Sequence, residues 1–93
     1  MSDRPMFALG QLVATSAALL ALKEAGQKPV DFLMRHAAGD WGEVDAEDCQ
    51  VNDTALGDNG QLLSRYHLET GVEIWIITEA DRSATTILLP EEH

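Results

Sequence analysis

Arg65, His67 and Glu69 recur at every second position of one stretch, and Arg82 and Thr85 follow later in the chain. On a strand, that spacing sends all three side chains of the first group to one face. A histidine and a carboxylate so placed can exchange protons with a substrate, and an arginine can steady charge developing on a phosphate. A His67, Glu69 and Arg82 face is therefore the equipment of a small metal-free ribonuclease-like toxin. The same alternation also describes a solvent-facing strand whose opposite charges pair across a sheet. Net charge favours the second reading. Sixteen Asp and Glu against six Lys and Arg leave −10 at neutral pH, which repels an RNA backbone.

His36, Asp40, Trp41 and Glu43 form a second polar and aromatic group. A lone histidine with no second ligand at fixed spacing makes a poor metal site, so His36 reads as the end of a helix and Trp41 as a lid over the core edge. Asp45, Glu47, Asp48, Asn52 and Asp53 offer the oxygens calcium prefers, without the alternating acids and central glycine of a calcium loop. No glycine-rich phosphate cradle, nucleophile elbow or paired-histidine motif occurs. No catalytic residue, metal ligand or cofactor is assigned.

The position of the charge is more informative than its total. Residues 1–36 sum to +1 and residues 61–93 to −4, while residues 37–60 hold Asp40, Glu43, Asp45, Glu47, Asp48, Asp53 and Asp58 with no Lys or Arg, a net of −7. Like charges this dense cost stability unless solvated or met by a basic partner. The composition excludes direct binding to nucleic acid or anionic lipid. It leaves a protein partner with a basic surface, and a homodimer stays open.

Ninety-three residues make a single domain, 1–93, and its 45% hydrophobic content is that of a chain with a core. At this size the core is thin and a deep enclosed active site is not expected. One cysteine, Cys49, excludes an internal disulfide. The start Met1-Ser2-Asp3-Arg4-Pro5 lacks the blocks of a signal peptide and no apolar run reaches membrane-spanning length, so a cytoplasmic setting is expected.

The elements follow from caps and periodicity. Phe7–Ala14, interrupted by Gly10, reads as a short strand or extended entry. Thr15 or Ser16 caps a helix that Gly26 stops, and Pro29 opens a second that ends near Gly39, giving a helical hairpin in which Leu19 and Leu22 pack on Phe32 or Leu33. Asp45 with Asp48 caps a third helix over Ala46–Leu56, and Gly57–Gly60 is a loop. The period then becomes two: Leu62–Glu69, a turn at Glu69-Thr70-Gly71, the β-branched run Val72–Thr78, a polar connection Glu79–Arg82 fixed by Asp81 and Ser83, and Ser83–Leu89 before Pro90. The expected fold is α+β, with N-terminal helices, a helical hairpin plus a short third helix, packed on a C-terminal three-stranded antiparallel meander. Trp75 faces away from Ile74 and Ile76, and an uncovered sheet face would expose it.

Three segments, Leu9-Gly10-Gln11-Leu12-Val13-Ala14-Thr15, His36-Ala37-Ala38-Gly39-Asp40-Trp41-Gly42 and Ile76 through Pro90, resemble a family of small bacterial plasmid- and phage-associated proteins. The resemblance implies a mobile-element setting, where small acidic proteins inhibit host defence nucleases by occupying a nucleic acid site. It carries no activity and no catalytic residue. The expected function is a non-enzymatic accessory protein of a mobile genetic element that binds a macromolecular partner through an acidic surface, as a nucleic-acid-mimic inhibitor of a host defence nuclease. Asp40, Glu43, Asp45, Glu47, Asp48 and Asp53 would present the charge, with Trp41, Trp75 and Arg82 as anchors.

Overall fold

The computed structural model describes residues 6–93; the 1–5 stretch, read above as lacking a signal peptide, lies outside the described residues. Strand β1 (Gln11–Ala14) leads into helices α1 (Ser16–Ala25), α2 (Pro29–Ala37) and α3 (Ala46–Asp58). Strands β2 (Leu62–His67), β3 (Glu73–Thr78) and β4 (Ala84–Leu88) follow, then a 3₁₀ turn, Pro90–Glu92.

Local chemistry sets the helix ends. The Thr15 hydroxyl accepts the Ala18 N–H at 3.1 Å, and Gly26 closes α1 in the left-handed region that glycine enters without a Cβ penalty. Pro29 opens α2, whose acid Asp31 and bases Arg35 and His36 sit at the dipole ends that favour them. Asp45 caps α3 through the Asp48 N–H at 2.8 Å. That helix runs through Gly57 and ends on Asn59 at φ 57, later than the expected Leu56. A glycine inside a helix costs only about 1 kcal/mol, which docking can offset.

The sheet corrects the expected three-stranded antiparallel meander. It has four strands in the order β1-β4-β3-β2, with β1 parallel to β4 and the other two pairs antiparallel. Gln11 lies beside Ala84 and Ala14 beside Ile87. Gly10 makes this possible: at φ 67 its α-carbon runs so close to the Arg82 and Ser83 backbone that a Cβ would collide with it. Pairing between opposite ends of a chain involves no turn that a sequence could announce.

All three strands of the C-terminal half bury alternate residues on one face, where α1 contributes Ala18, Ala21 and Leu22 and α2 contributes Phe32 and Leu33. Leu22 is buried there as expected, whereas Leu19 is 45% exposed. Burying a leucine fully is worth about 1.5–3 kcal/mol, so α1 is held by few residues. A second cluster of Trp41, Ala55 and Leu62, with Phe7, Val44 and Leu56 against it, docks α3 beside β2.

The β2 edge is closed by side chain and loop. The Asn52 amide donates to the Leu63 carbonyl at 2.7 Å and accepts the Leu63 N–H at 3.1 Å, as a neighbouring strand would. The Trp41 carbonyl accepts the Arg65 N–H at 3.0 Å, and Glu43 N–H donates to the Arg65 carbonyl at 2.6 Å. Gly42 is required between them, because a Cβ there would strike Arg65 and Tyr66. Among the described residues no helix is long and apolar enough to cross a membrane.

Candidate functional site

The seven acids of residues 37–60 divide into two groups. Asp40 pairs with Arg35 at 2.8 Å and Glu43 with His67 at 2.9 Å, so bases outside the block meet both. The Asp40 carboxyl is held below the usual range by its hydrogen bond from Arg35. Asp45, Glu47, Asp48, Asp53 and Asp58 have no cation within 4.0 Å among the described residues. All five lie on α3 or at its cap, so the acidic surface is the α3 edge of the molecule.

Two of the five do structural work there. Asp45 is the cap, and Asp53 accepts the Trp41 indole N–H at 3.3 Å. Glu47 and Asp58 flank an open groove of about 450 Å³ with Val51, Thr54, Ala55 and Gly60 between them. Val51 is 58% exposed, an apolar side chain in an acidic frame. Among the described residues no group of three or more His, Cys, Asp or Glu is disposed to hold a metal ion.

The expected anchors sit elsewhere or are occupied. Trp41 is 4% exposed and belongs to the α3 cluster, where Phe7 stacks on it at 6.2 Å. Arg82, in the left-handed region at φ 61, donates to the Gly60 carbonyl at 2.6 Å and to the Ala55 carbonyl at 3.0 Å. It is a clamp on the C-terminal end of α3, where a cation is favourable and α3 has no base of its own. Asp81 does fix this turn, accepting the Ser83 N–H at 3.0 Å. Trp75 lies on the outer sheet face, half-buried between Arg65 at 5.8 Å and the His93 ring at 5.2 Å.

The proposed acid–base face is not assembled. His67 pairs with Glu73 across the β2–β3 ladder, whereas Leu62 pairs with Thr78 near the Arg82 turn. Five residues of strand, about 17 Å, therefore separate the His67 end from the Arg82 end. Glu69 falls beyond β2, and its N–H donates to the Gln27 side chain at 2.8 Å. His67 instead neighbours Glu73, which accepts from Arg65 at 2.9 Å and from the Trp75 indole at 2.6 Å. The indole bond, then Arg65, holds the Glu73 carboxyl below the usual range. This is a solvent-facing charge network.

The most connected polar group lies inside the core. His36 is fully buried, with Nδ1 2.5 Å from the Ser64 hydroxyl and Nε2 2.8 Å from the Thr78 hydroxyl. Thr78 is 2.8 Å from the Thr85 hydroxyl, which donates to the Leu9 carbonyl at 2.7 Å. Each hydroxyl has one proton, which fixes the direction of every bond as far as Nε2, and a neutral ring then fixes the last. Thr85 spends its proton on Leu9, so Thr78 donates to Thr85, His36 donates from Nε2 to Thr78, and Ser64 donates to Nδ1. Burial lowers the imidazole pKa to about 4, which keeps the ring in this neutral Nε2–H form. With no access to solvent the chain orders α2, three strands and the Leu9 segment, and it presents no nucleophile. Sequence reading placed His36 at a helix end and missed Ser64. The signal was present: Ser64, Thr78 and Thr85 stand at inward positions among Leu62, Tyr66, Ile76 and Ile87.

Comparison with protein-family models, curated proteins and solved structures yields no match.

Proposed function

We propose that this chain is a non-enzymatic accessory protein of a mobile genetic element, and that its α3 edge binds a basic protein surface which otherwise holds nucleic acid. The carrying observation is that Asp45, Glu47, Asp48, Asp53 and Asp58 lack any cationic partner among the described residues. At about 100° and 1.5 Å per residue, Glu47 and Asp58 share the outer face of α3 about 16 Å apart, while Asp45, Asp48 and Asp53 stand at other angles round the helix, so this edge is a broad acidic patch. Such a patch attracts Lys and Arg strongly at low salt and weakly once screened. A host nuclease whose phosphate-binding site is blocked in this way would be inhibited without any chemistry by the inhibitor. A cytoplasmic location belongs to the same proposal.

The test is capture from a host lysate on immobilised wild type and on a Glu47→Lys/Asp58→Lys variant. The proposal expects a nucleic-acid-binding protein retained by the wild type at low salt, released at high salt, and absent from the variant. Identical retention by both would discard it.

A further inference from the structure

The two edges of the sheet differ. The outward backbone groups of Leu63 and Arg65 on β2 are occupied by Asn52, Trp41 and Glu43, and the acidic α3 covers that side. On the other edge, Gln11 and Thr15 donate to the Ser83 and Ile87 carbonyls of the β4 side. Backbone direction alternates along a strand, so the N–H and C=O of Leu12 and Ala14 point away from the sheet. Among the described residues no strand other than β4 pairs with β1.

This edge carries none of the usual protection against pairing apart from its shortness: Gln11–Ala14 holds no charge, proline or bulge. Its side chains are also exposed, Leu12 at 54% and Val13 at 43%, and α1, which follows directly, exposes Leu19 and Leu20 at 45% and 56%. These four are a large share of the nine exposed large apolar side chains among the described residues, and all fall within residues 12–20.

We infer that β1 pairs with β1 of a second copy of this chain, antiparallel about a two-fold axis at Val13, to form one continuous eight-stranded sheet. The register follows from which groups face outward. Leu12 and Ala14 are two residues apart, so the axis sets each Leu12 opposite the other copy's Ala14, and each such pair exchanges two backbone hydrogen bonds. Four bonds form, and Val13 meets Val13 in the intervening non-hydrogen-bonded position with Cα atoms about 4.5 Å apart. The contact is self-complementary, as a closed dimer requires.

Charge selects a second copy as the occupant. Each copy carries −10, so two copies repel wherever their acidic parts meet. Residues 6–36, which supply β1, α1 and α2, sum to +1, and the remaining −11 belongs to residues 37–93, of which Glu92 reaches the end of β1 by accepting the Thr15 hydroxyl at 2.7 Å. With α3 beyond β2, joining the β1 edges puts all eight strands, at about 4.8 Å each, between the two acidic helices. That separation is several times the roughly 8 Å screening length at physiological salt. A basic partner would be drawn to the α3 edge instead, and an acidic one would be repelled by the whole chain.

Sedimentation equilibrium across a concentration series tests this, with the mass rising from 10.1 kDa towards twice that value. Val13→Lys should hold the chain monomeric at every concentration while its circular dichroism stays that of the wild type. In a Cys49→Ser background, Val13→Cys should oxidise to a linked dimer, because cysteines in such a pair lie within disulfide reach, and Gln50→Cys on the acidic edge should not. Amide exchange on the unmodified protein gives a readout free of folding effects: Leu12 and Ala14 gain protection as concentration rises, and Gln11 and Val13 do not change. A wild type that remains monomeric, a dimer that survives Val13→Lys, or equal cross-linking at the two cysteine positions would each overturn the inference.

Discussion

His36 Nδ1 and the Ser64 hydroxyl lie 2.5 Å apart between α2 and β2, with the hydroxyl as donor. A second proton on the ring would turn this bond around and leave a buried hydroxyl proton without an acceptor. Burial lowers the folded pKa to about 4, against an ordinary value of 6.5 in the unfolded chain. The contribution to stability is therefore complete above about pH 6.5 and is lost as pH falls towards 4. Linkage makes it about 3 kcal/mol. Urea midpoints between pH 7 and pH 5.5, where most carboxylates stay ionised, should fall for the wild type, and that slope should be largely absent from His36→Gln.

The far end of the same chain should be sensitive too. Thr85→Val leaves the Leu9 carbonyl without its donor and the Thr78 hydroxyl without its acceptor, which costs about 1–3 kcal/mol for each buried group left unsatisfied. Denaturant unfolding should show a midpoint loss of that order, and amide exchange near Leu9 and Gly10 should speed up.

Asn52 stands in for a strand at the β2 edge. Asn52→Leu keeps the branched heavy-atom skeleton, with bulkier methyl ends, and deletes both bonds to Leu63, so stability should fall by about 2 kcal/mol. The Leu63 amide should then exchange faster than that of Ile76 in the sheet centre.

Arg82 acts as a clamp on α3, and its replacement should loosen that helix selectively. Arg82→Lys cannot reach the Ala55 and Gly60 carbonyls in the same forked geometry. Exchange should rise at α3 amides and stay unchanged in β3, with an overall loss of about 1–2 kcal/mol. Equal effects on both elements would contradict the assignment.

The helices were legible in the sequence because their ends are written locally: Thr15, Gly26, Pro29 and Asp45 each act within one turn. The hairpin of β2 and β3 was legible because Glu69-Thr70-Gly71 separates two runs of period two. The parallel pairing of β1 was not, since it joins Gln11 to Ala84 through space with only Gly10 hinting at a close approach. The acidic block was visible as a run of charge, but its narrowing to α3 depends on Arg35 and His67 folding back on Asp40 and Glu43. Trp41 and Arg82 carry the residue types of interface anchors, and only the packing of α3 reveals that both are used internally.

On the proposed function, the α3 edge and a nucleic acid compete for one basic surface. The direct measurement is displacement: the protein captured on immobilised wild-type chain is challenged with increasing nucleic acid at constant salt. Release is the expected result, with Glu47→Lys/Asp58→Lys unable to displace that nucleic acid in the reverse experiment. Simultaneous binding of chain and nucleic acid to the captured protein would contradict it.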